Sequence, residues 1–180
     1  MSKLSTLIGE VIDGNPKLHH TTDGENFYTI SVRFLDATID VLFSEFIKQD
    51  SYEDKISVTV YLASEPRRGA KPYFYFYGSK IESVAIDTPI TNEIEFTCKV
   101  TKVGDFKVNK RAVEVLPLIA SDYTTNHTTS VLYLCVRGRD ARKLYNREKG
   151  YYLSGRGYLK QYRDVYEVRV VEIYEDNDEA

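Results

Sequence analysis

Residues Val131–Asp164, VLYLCVRGRDARKLYNREKGYYLSGRGYLKQYRD, carry the pattern that decides the fold. An alternating apolar strand is followed by ARKLYNREK (Ala141–Lys149), whose good helix formers and apolar spacing predict a short helix. Gly150 then ends the helix, and a second alternating strand begins at Tyr151. A strand, a short helix and another strand in this order predict part of a small closed β barrel.

The rest of the 180-residue chain alternates apolar and polar residues in the same way, which predicts five strands in each half. The predicted strands of the first half are 7–12, 27–34, 37–46, 55–64 and 72–84. Those of the second half are 93–103, 111–120, 130–138, 151–162 and 165–174. The repeat is one of element order rather than of residue identity.

These strands predict an all-β protein built from two tandem OB-fold barrels, each a five-stranded Greek key, with the short helix in the second. We place the first barrel at 1–87, the second at 88–174 and an acidic tail at 175–180. Ala85–Glu93 is the predicted linker. Between the third and fourth strands of the first barrel, Phe46–Asp54 is expected to form a turn or a single helical turn.

Charge is distributed unevenly along the chain, although the formal net charge is only −3. Residues 1–87 contain 9 Lys and Arg against 13 Asp and Glu, a net charge of −4. Residues 88–174 contain 15 basic against 10 acidic side chains, a net charge of +5. The second barrel is therefore the better candidate for contact with a polyanion.

Signals for other protein classes are weak. No glycine-rich nucleotide-binding motif occurs, and His19, His20 and His127 are read as solvated loop residues because they lack zinc-ligand spacing. Cys98 and Cys135 lie in predicted strands and are expected to be reduced thiols. No long apolar run or secretory leader pattern is present. We expect a cytoplasmic protein that is not an enzyme and has no metal, cofactor or membrane segment.

Tyrosines follow one face of the strand KPYFYFYGSK. Tyr73, Tyr75 and Tyr77 alternate with Phe74 and Phe76, so the tyrosines face outward if the phenylalanines fill the core. Three outward rings could stack on nucleic-acid bases. Packing at a sheet surface, between barrels or in a homo-oligomer seam explains the row equally well.

Basic and aromatic residues interleave in the strand 151–162. Its outward side is predicted to carry Tyr152, Ser154, Arg156, Tyr158, Lys160 and Tyr162. On the preceding strand, Arg137 and Arg139 add charge, and Tyr133 shares the face of Arg137. Because a cation can pair with a phosphate while a ring stacks on a base, this pattern favours a single-stranded nucleic acid over a merely solvated face.

Loops between strands supply further cations where OB barrels contact ligands. Arg67, Arg68 and Lys71 lie between the last two strands of the first barrel, and Arg163 lies at the corresponding place in the second. The complete set of candidate nucleic-acid-binding residues is Phe27, Arg33, Tyr61, Arg67, Arg68, Lys71, Tyr73, Tyr75, Tyr77, Lys107, Lys110, Arg111, Tyr133, Arg137, Arg139, Tyr152, Arg156, Tyr158, Lys160, Tyr162 and Arg163.

The segment LYLCVRGRDARKLYNREKGYYLSGRGYLKQYRDVYEVRV resembles the bacterial single-stranded-DNA-binding protein family in the order of its motifs. The first half has a fainter likeness in IGEVIDGNPKLHHTTDGENFYTISVRF. The usual family member has one barrel and a long tail, whereas this chain has two barrels, and its acidic ending EDNDEA lacks the family's Pro-Phe tip. A compact form of this kind would suit a phage or mobile element.

The resemblance and the residue pattern together imply sequence-independent binding and protection of single-stranded DNA during replication or recombination. A protein-interaction or primosome-accessory barrel is the first alternative, because exposed Tyr and Arg also suit protein interfaces. Single-stranded RNA is the second, because rings and cations alone do not distinguish the sugar. Replication or recombination proteins are further candidate partners.

Overall fold

The structure is a computed structural model that describes residues 3–20, 24, 26–65, 67–123 and 129–174. The chain forms two compact units, the first spanning Leu4–Ile94 and the second beginning at Glu95. The acidic tail, 175–180, and His127 lie outside the described residues. Among the described residues, no helix is long and apolar enough to span a membrane.

The first unit is a closed barrel of five strands. They are β1 (Ser5–His20), β2 (Asn26–Phe34), β3 (Ala37–Ser44), β4 (Lys55–Glu65) and β5 (Tyr73–Ser83). Their order around the barrel is β1-β2-β3-β5-β4, and β4 pairs with β1 to close it. The β3–β5 pair is parallel, and the other pairs are antiparallel. The expected single helical turn is present as a 3₁₀ helix at Glu45–Ile47.

The second unit repeats this topology. Its elements are β6 (Glu93–Val103), β7 (Lys107–Val108), β8 (Glu114–Tyr123), β9 (Thr129–Arg137), α1 (Gly138–Tyr145), β10 (Tyr152–Tyr162) and β11 (Val165–Ile173). The order β6-β10-β11-β9-β8 closes through the β6–β8 pairing, and the short β7 adds to β8. The β9–β11 pair is parallel, like its counterpart in the first barrel.

Alternating side chains fill both barrels as the sequence predicts, because successive strand residues point to opposite faces. In the first barrel the fully buried residues include Val32, Phe34, Val41, Ile56, Val58, Val60 and Phe76. In the second they include Leu116, Leu118, Leu134, Leu153 and Leu159. The predicted fold, two tandem five-stranded barrels with one short helix in the second, is therefore confirmed.

Some predicted boundaries were wrong. Strand β1 continues past Ile12 to His20, because bulges accommodate Gly14 and Pro16. His19 and His20 consequently lie on a strand and not in a loop. Helix α1 begins at Gly138 rather than Ala141, so Arg139 lies in its first turn and not on the preceding strand.

The predicted linker is attached to the first barrel. The buried Lys55 ammonium donates hydrogen bonds to the carbonyl oxygens of Ile86 and Thr88, the latter at 2.8 Å. The Thr91 backbone N–H donates to the Ile8 carbonyl, and the Thr91 hydroxyl accepts a hydrogen bond from the Ile8 N–H. Residues 84–91 thus form part of the first unit.

Candidate nucleic-acid interface

The outward side of β5 and β4 in the first barrel carries four tyrosines, which we call the tyrosine face: Tyr61, Tyr73, Tyr75 and Tyr77. The register pairs Tyr77 with Tyr61 on β4, and pairs Tyr75 with Asp40 on β3. Phe74 and Phe76 between them are buried, so the predicted sorting of the row into two faces is confirmed.

Rings of the tyrosine face pack against one another. Tyr61 stacks on Tyr77 with centroids 5.2 Å apart, and Tyr73 stacks on Tyr75 at 5.6 Å. Phe27 meets Tyr77 edge-on at 5.8 Å. Phe27 and Tyr61 are only 8% and 9% exposed, so they support the neighbouring rings and present little surface of their own.

An acidic hydrogen-bonding network lies beside the rings. The Tyr73 hydroxyl donates to the Asp40 carboxylate at 2.6 Å, and the Ser31 hydroxyl donates to its other oxygen at 2.6 Å. Burial, and then the Asp40 carboxylate, raise the pKa of Tyr73 far above its usual range. Burial likewise raises the pKa of Tyr75, so both rings are neutral phenols at physiological pH.

Two separate segments of the first barrel meet at Tyr73. His19, near the end of β1, stacks on the Tyr73 ring at 5.8 Å. The Arg67 guanidinium, from the β4–β5 loop, lies over the same ring at 4.5 Å. The end of β1 and Arg67 of the β4–β5 loop therefore meet at the tyrosine face, on the side where OB barrels bind extended ligands.

The Asp40 network predicts a measurable stability effect. Asp40→Asn keeps the shape of the side chain but removes its charge, and we expect a loss of about 1.5–3 kcal/mol because two hydrogen bonds to a charged acceptor are weakened. Urea unfolding at neutral pH measures this loss. Asp50→Asn is the control, since Asp50 is exposed. Equal losses of unfolding free energy in the two variants would contradict a stabilising role for the hydrogen bonds that Asp40 accepts.

Asp40→Asn should also change how the free energy of unfolding depends on pH under alkaline conditions. Because the native state keeps the Tyr73 proton above the unfolded tyrosine pKa, about 10, stability falls as the pH rises past that value. Asp40→Asn removes one cause of the raised Tyr73 pKa. We therefore expect a shallower fall above pH 10, measured by unfolding at several alkaline pH values.

In the second barrel, the outward side of β9, β11 and β10 forms a continuous surface that we call the basic face: Tyr133, Arg137, Arg169, Tyr158 and Lys160. The parallel register pairs Cys135 with Arg169, and the antiparallel register pairs Arg169 with Tyr158 and Glu167 with Lys160. Directly paired residues share a side of the sheet. The structure thus brings Tyr133 and Arg137 together with Tyr158 and Lys160.

Strand β10 has the predicted alternation throughout. Leu153, Gly155, Gly157 and Leu159 are buried, whereas Tyr152, Tyr158 and Tyr162 are 58%, 43% and 50% exposed. These three rings are the most accessible candidates for stacking, because tyrosines of the first barrel are partly covered by their neighbours.

Charges on and beside the basic face are partly paired. Arg156 forms an ion pair with Glu172 at 2.7 Å, and Arg169 donates a hydrogen bond to the Tyr162 hydroxyl at 2.8 Å. Burial raises the pKa of Glu167 and outweighs the opposing effect of the neighbouring Arg169 and Arg137.

Cations of the β7–β8 hairpin extend the basic face. The register pairs Arg137 with Val115 and Val115 with Lys107, so Lys107 lies in the row of Arg137. Lys107, Lys110 and Arg111 are exposed, and none of them has an acidic partner among the described residues. Arg139 and Arg163 are exposed as well, on α1 and in the β10–β11 turn.

Several other predicted residues are placed less favourably. Arg33 is held by Glu10 in an ion pair on the outside of the first barrel. Arg68 and Lys71 are exposed in the β4–β5 loop.

Sequence reasoning missed His19, Asp40 and Arg169. No local signal could have found Asp40 or Arg169, because their proximity to tyrosines depends on the register between strands that are distant in sequence.

Comparison with solved structures finds the same architecture over the whole chain. The wild-type single-stranded DNA binding protein from Thermus aquaticus matches with a TM-score of 0.76 at 13% identity, covering 100% of this chain and 95% of that one. The two proteins share a fold. A deletion variant of the same protein matches with a TM-score of 0.75 at 14% identity, covering 100% and 96%.

No protein-family model matches the sequence, and no curated protein matches it. At these identities the structural likeness establishes the fold, two tandem five-stranded barrels, and nothing finer. The matched Thermus aquaticus protein is bacterial, so it gives no support to a phage source.

Proposed function

We propose that this protein binds single-stranded DNA largely without regard to sequence and protects it during replication or recombination. The observation that carries the proposal is the alternation of exposed tyrosines with cations on the outward side of β10, above all Tyr158 beside Lys160. The fold match to a single-stranded DNA binding protein supports it.

The proposed chemistry divides each nucleotide between two kinds of side chain. Arg and Lys neutralise phosphates and release condensed counterions, whereas an exposed ring stacks on a base of any identity. Stacking contributes about 1–3 kcal/mol per base. Neither contact requires a particular base edge, which explains why binding would tolerate any sequence.

The proposed contacts are the candidate residues named from the sequence, with different weights. Tyr152, Tyr158 and Tyr162 have the exposure that stacking needs. Lys107, Lys110 and Arg111 have the exposure that phosphate contact needs. Phe27 and Tyr61 act by supporting Tyr77, and Arg33 contributes little while it is paired with Glu10.

Titration with oligo-dT tests the proposal. Tyrosine fluorescence reports binding, since the chain has no tryptophan. We expect quenching with micromolar or tighter affinity that weakens as salt rises. A duplex of the same length is the matched control and should bind more weakly. Absence of salt-sensitive oligo-dT binding at micromolar protein would reject the proposal, and equal affinity for oligo-U would extend it to RNA.

A further inference from the structure

The two barrels present faces of opposite electrostatic character. Near the tyrosine face, Asp40 binds the Tyr73 hydroxyl, and Glu65 lies in register with Tyr73 and 4.0 Å from His19. The Arg67 guanidinium over the Tyr73 ring is a single cation beside these two carboxylates. A phosphate placed there would meet acidic groups, but an uncharged base would meet rings.

Two other cations on the outer side of the first barrel are paired with carboxylates. Arg33 pairs with Glu10, and Lys17 lies 3.1 Å from Asp13. Asp13 lies in the cross-strand row that leads through Ser31 and Asp40 to Tyr75, so this pair lies on the same side of the sheet as the tyrosine face. On the described strands around the tyrosine face these two cations are paired, whereas the exposed Arg68 and Lys71 lie in the β4–β5 loop.

On the basic face, positively charged side chains outnumber carboxylates. Arg169 lies 3.9 Å from the Glu167 carboxylate, Lys160 pairs with Glu167 across β10 and β11, and Lys107 extends the row of Arg137. The Nε atoms of Arg137 and Arg169 are buried without a hydrogen-bond partner in the structure. Such donors are costly to leave unsatisfied, so an incoming oxyanion would be stabilised there.

We propose that the barrels bind different parts of the strand. The tyrosine face of the first barrel binds bases without pairing phosphates, and the basic face of the second barrel neutralises phosphates. This inference rests on the proposed function and deepens it. Its consequence is that the salt dependence of binding comes from the second barrel, while the first adds affinity that salt does not change.

Salt titrations of full-length variants separate the two contributions. For single strands, each neutralised phosphate adds about 0.7 to the slope of log affinity against log salt. Lys107→Gln with Arg137→Gln should therefore flatten the slope by about 1.4. Tyr75→Leu should weaken binding about 5- to 150-fold at every salt concentration, giving a line parallel to that of the unchanged protein.

Two controls keep the test decisive. Tyr75→Phe retains the ring and should bind nearly as the unchanged protein does, which separates stacking from loss of packing. Arg67→Gln should leave the slope unchanged, because the Arg67 guanidinium lies over the Tyr73 ring, which has Asp40 and Glu65 as its acidic neighbours. A slope flattened by about 0.7 by Arg67→Gln, or a slope changed by Tyr75→Leu, overturns the division. If the unchanged protein fails to bind oligo-dT, the proposed function itself fails.

Discussion

Gly157→Ala is expected to unfold the second barrel or destabilise it by about 3 kcal/mol, the upper end of the cost of overpacking. Gly157 lies on the inward side of β10. An added Cβ there would clash with the Arg169 carbonyl oxygen and lie 2.9 Å from the Arg169 carbonyl carbon. Those atoms belong to the β11 backbone, so no side-chain rotation relieves the clash. In a domain of this size the melting temperature should fall by about 12–24 °C.

Thermal unfolding followed by circular dichroism measures this fall. Gly138→Ala is the matched control in the same barrel, because Gly138 has a φ of +58° but open space where an alanine Cβ would lie. We expect Gly138→Ala to lower the free energy of unfolding by about 1–2 kcal/mol, the cost of a left-handed conformation alone. If both substitutions cost the same, the close approach of β10 to β11 is not what requires glycine at 157.

Simultaneous replacement of Arg156, Tyr158 and Lys160 by alanine is expected to weaken oligo-dT binding about 100-fold or more at 0.1 M salt. The change removes one exposed ring and two cations from the outward side of β10. Side chains on this side do not enter the core, so the barrel should remain folded. Fluorescence titration measures the affinity, and circular dichroism checks the fold.

A matched triple variant controls for lost charge. Arg142→Ala, Tyr145→Ala and Lys149→Ala remove the same number of rings and cations in and beside α1, away from β10. This variant should keep most of the affinity. Equal losses in the two variants would show that net charge, and not the basic face, governs binding. Loss of self-association or of protein binding with unchanged DNA affinity would favour the protein-interaction alternative.

Local sequence patterns predicted the barrels because alternation reports directly on which side chains enter a core. Leu153 and Leu159 are buried and Tyr158 is exposed for this reason. The extension of β1 to His20 was missed, since Gly14 and Pro16 normally interrupt strands and the bulges that accommodate them depend on pairing with β2.

Contacts in the site that depend on strand register could not be predicted from local sequence patterns. The contact of Asp40 with Tyr73 requires the parallel β3–β5 pairing, and the contact of Arg67 with the same ring requires the path of the β4–β5 loop. Burial of Tyr61 likewise follows from its stack on Tyr77. Counting charges along the chain did identify the more basic half, because that property needs no tertiary information.

Photocrosslinking of the full chain to an oligonucleotide, mapped to single residues, tests the central claim most directly. The account predicts crosslinks at Tyr73 or Tyr75 in the first barrel and at Tyr152, Tyr158 or Tyr162 in the second, with protection of Lys107 and Lys160 from acetylation. Crosslinks confined to α1 or to the 84–91 segment, with the tyrosine and basic faces unlabelled, would contradict it.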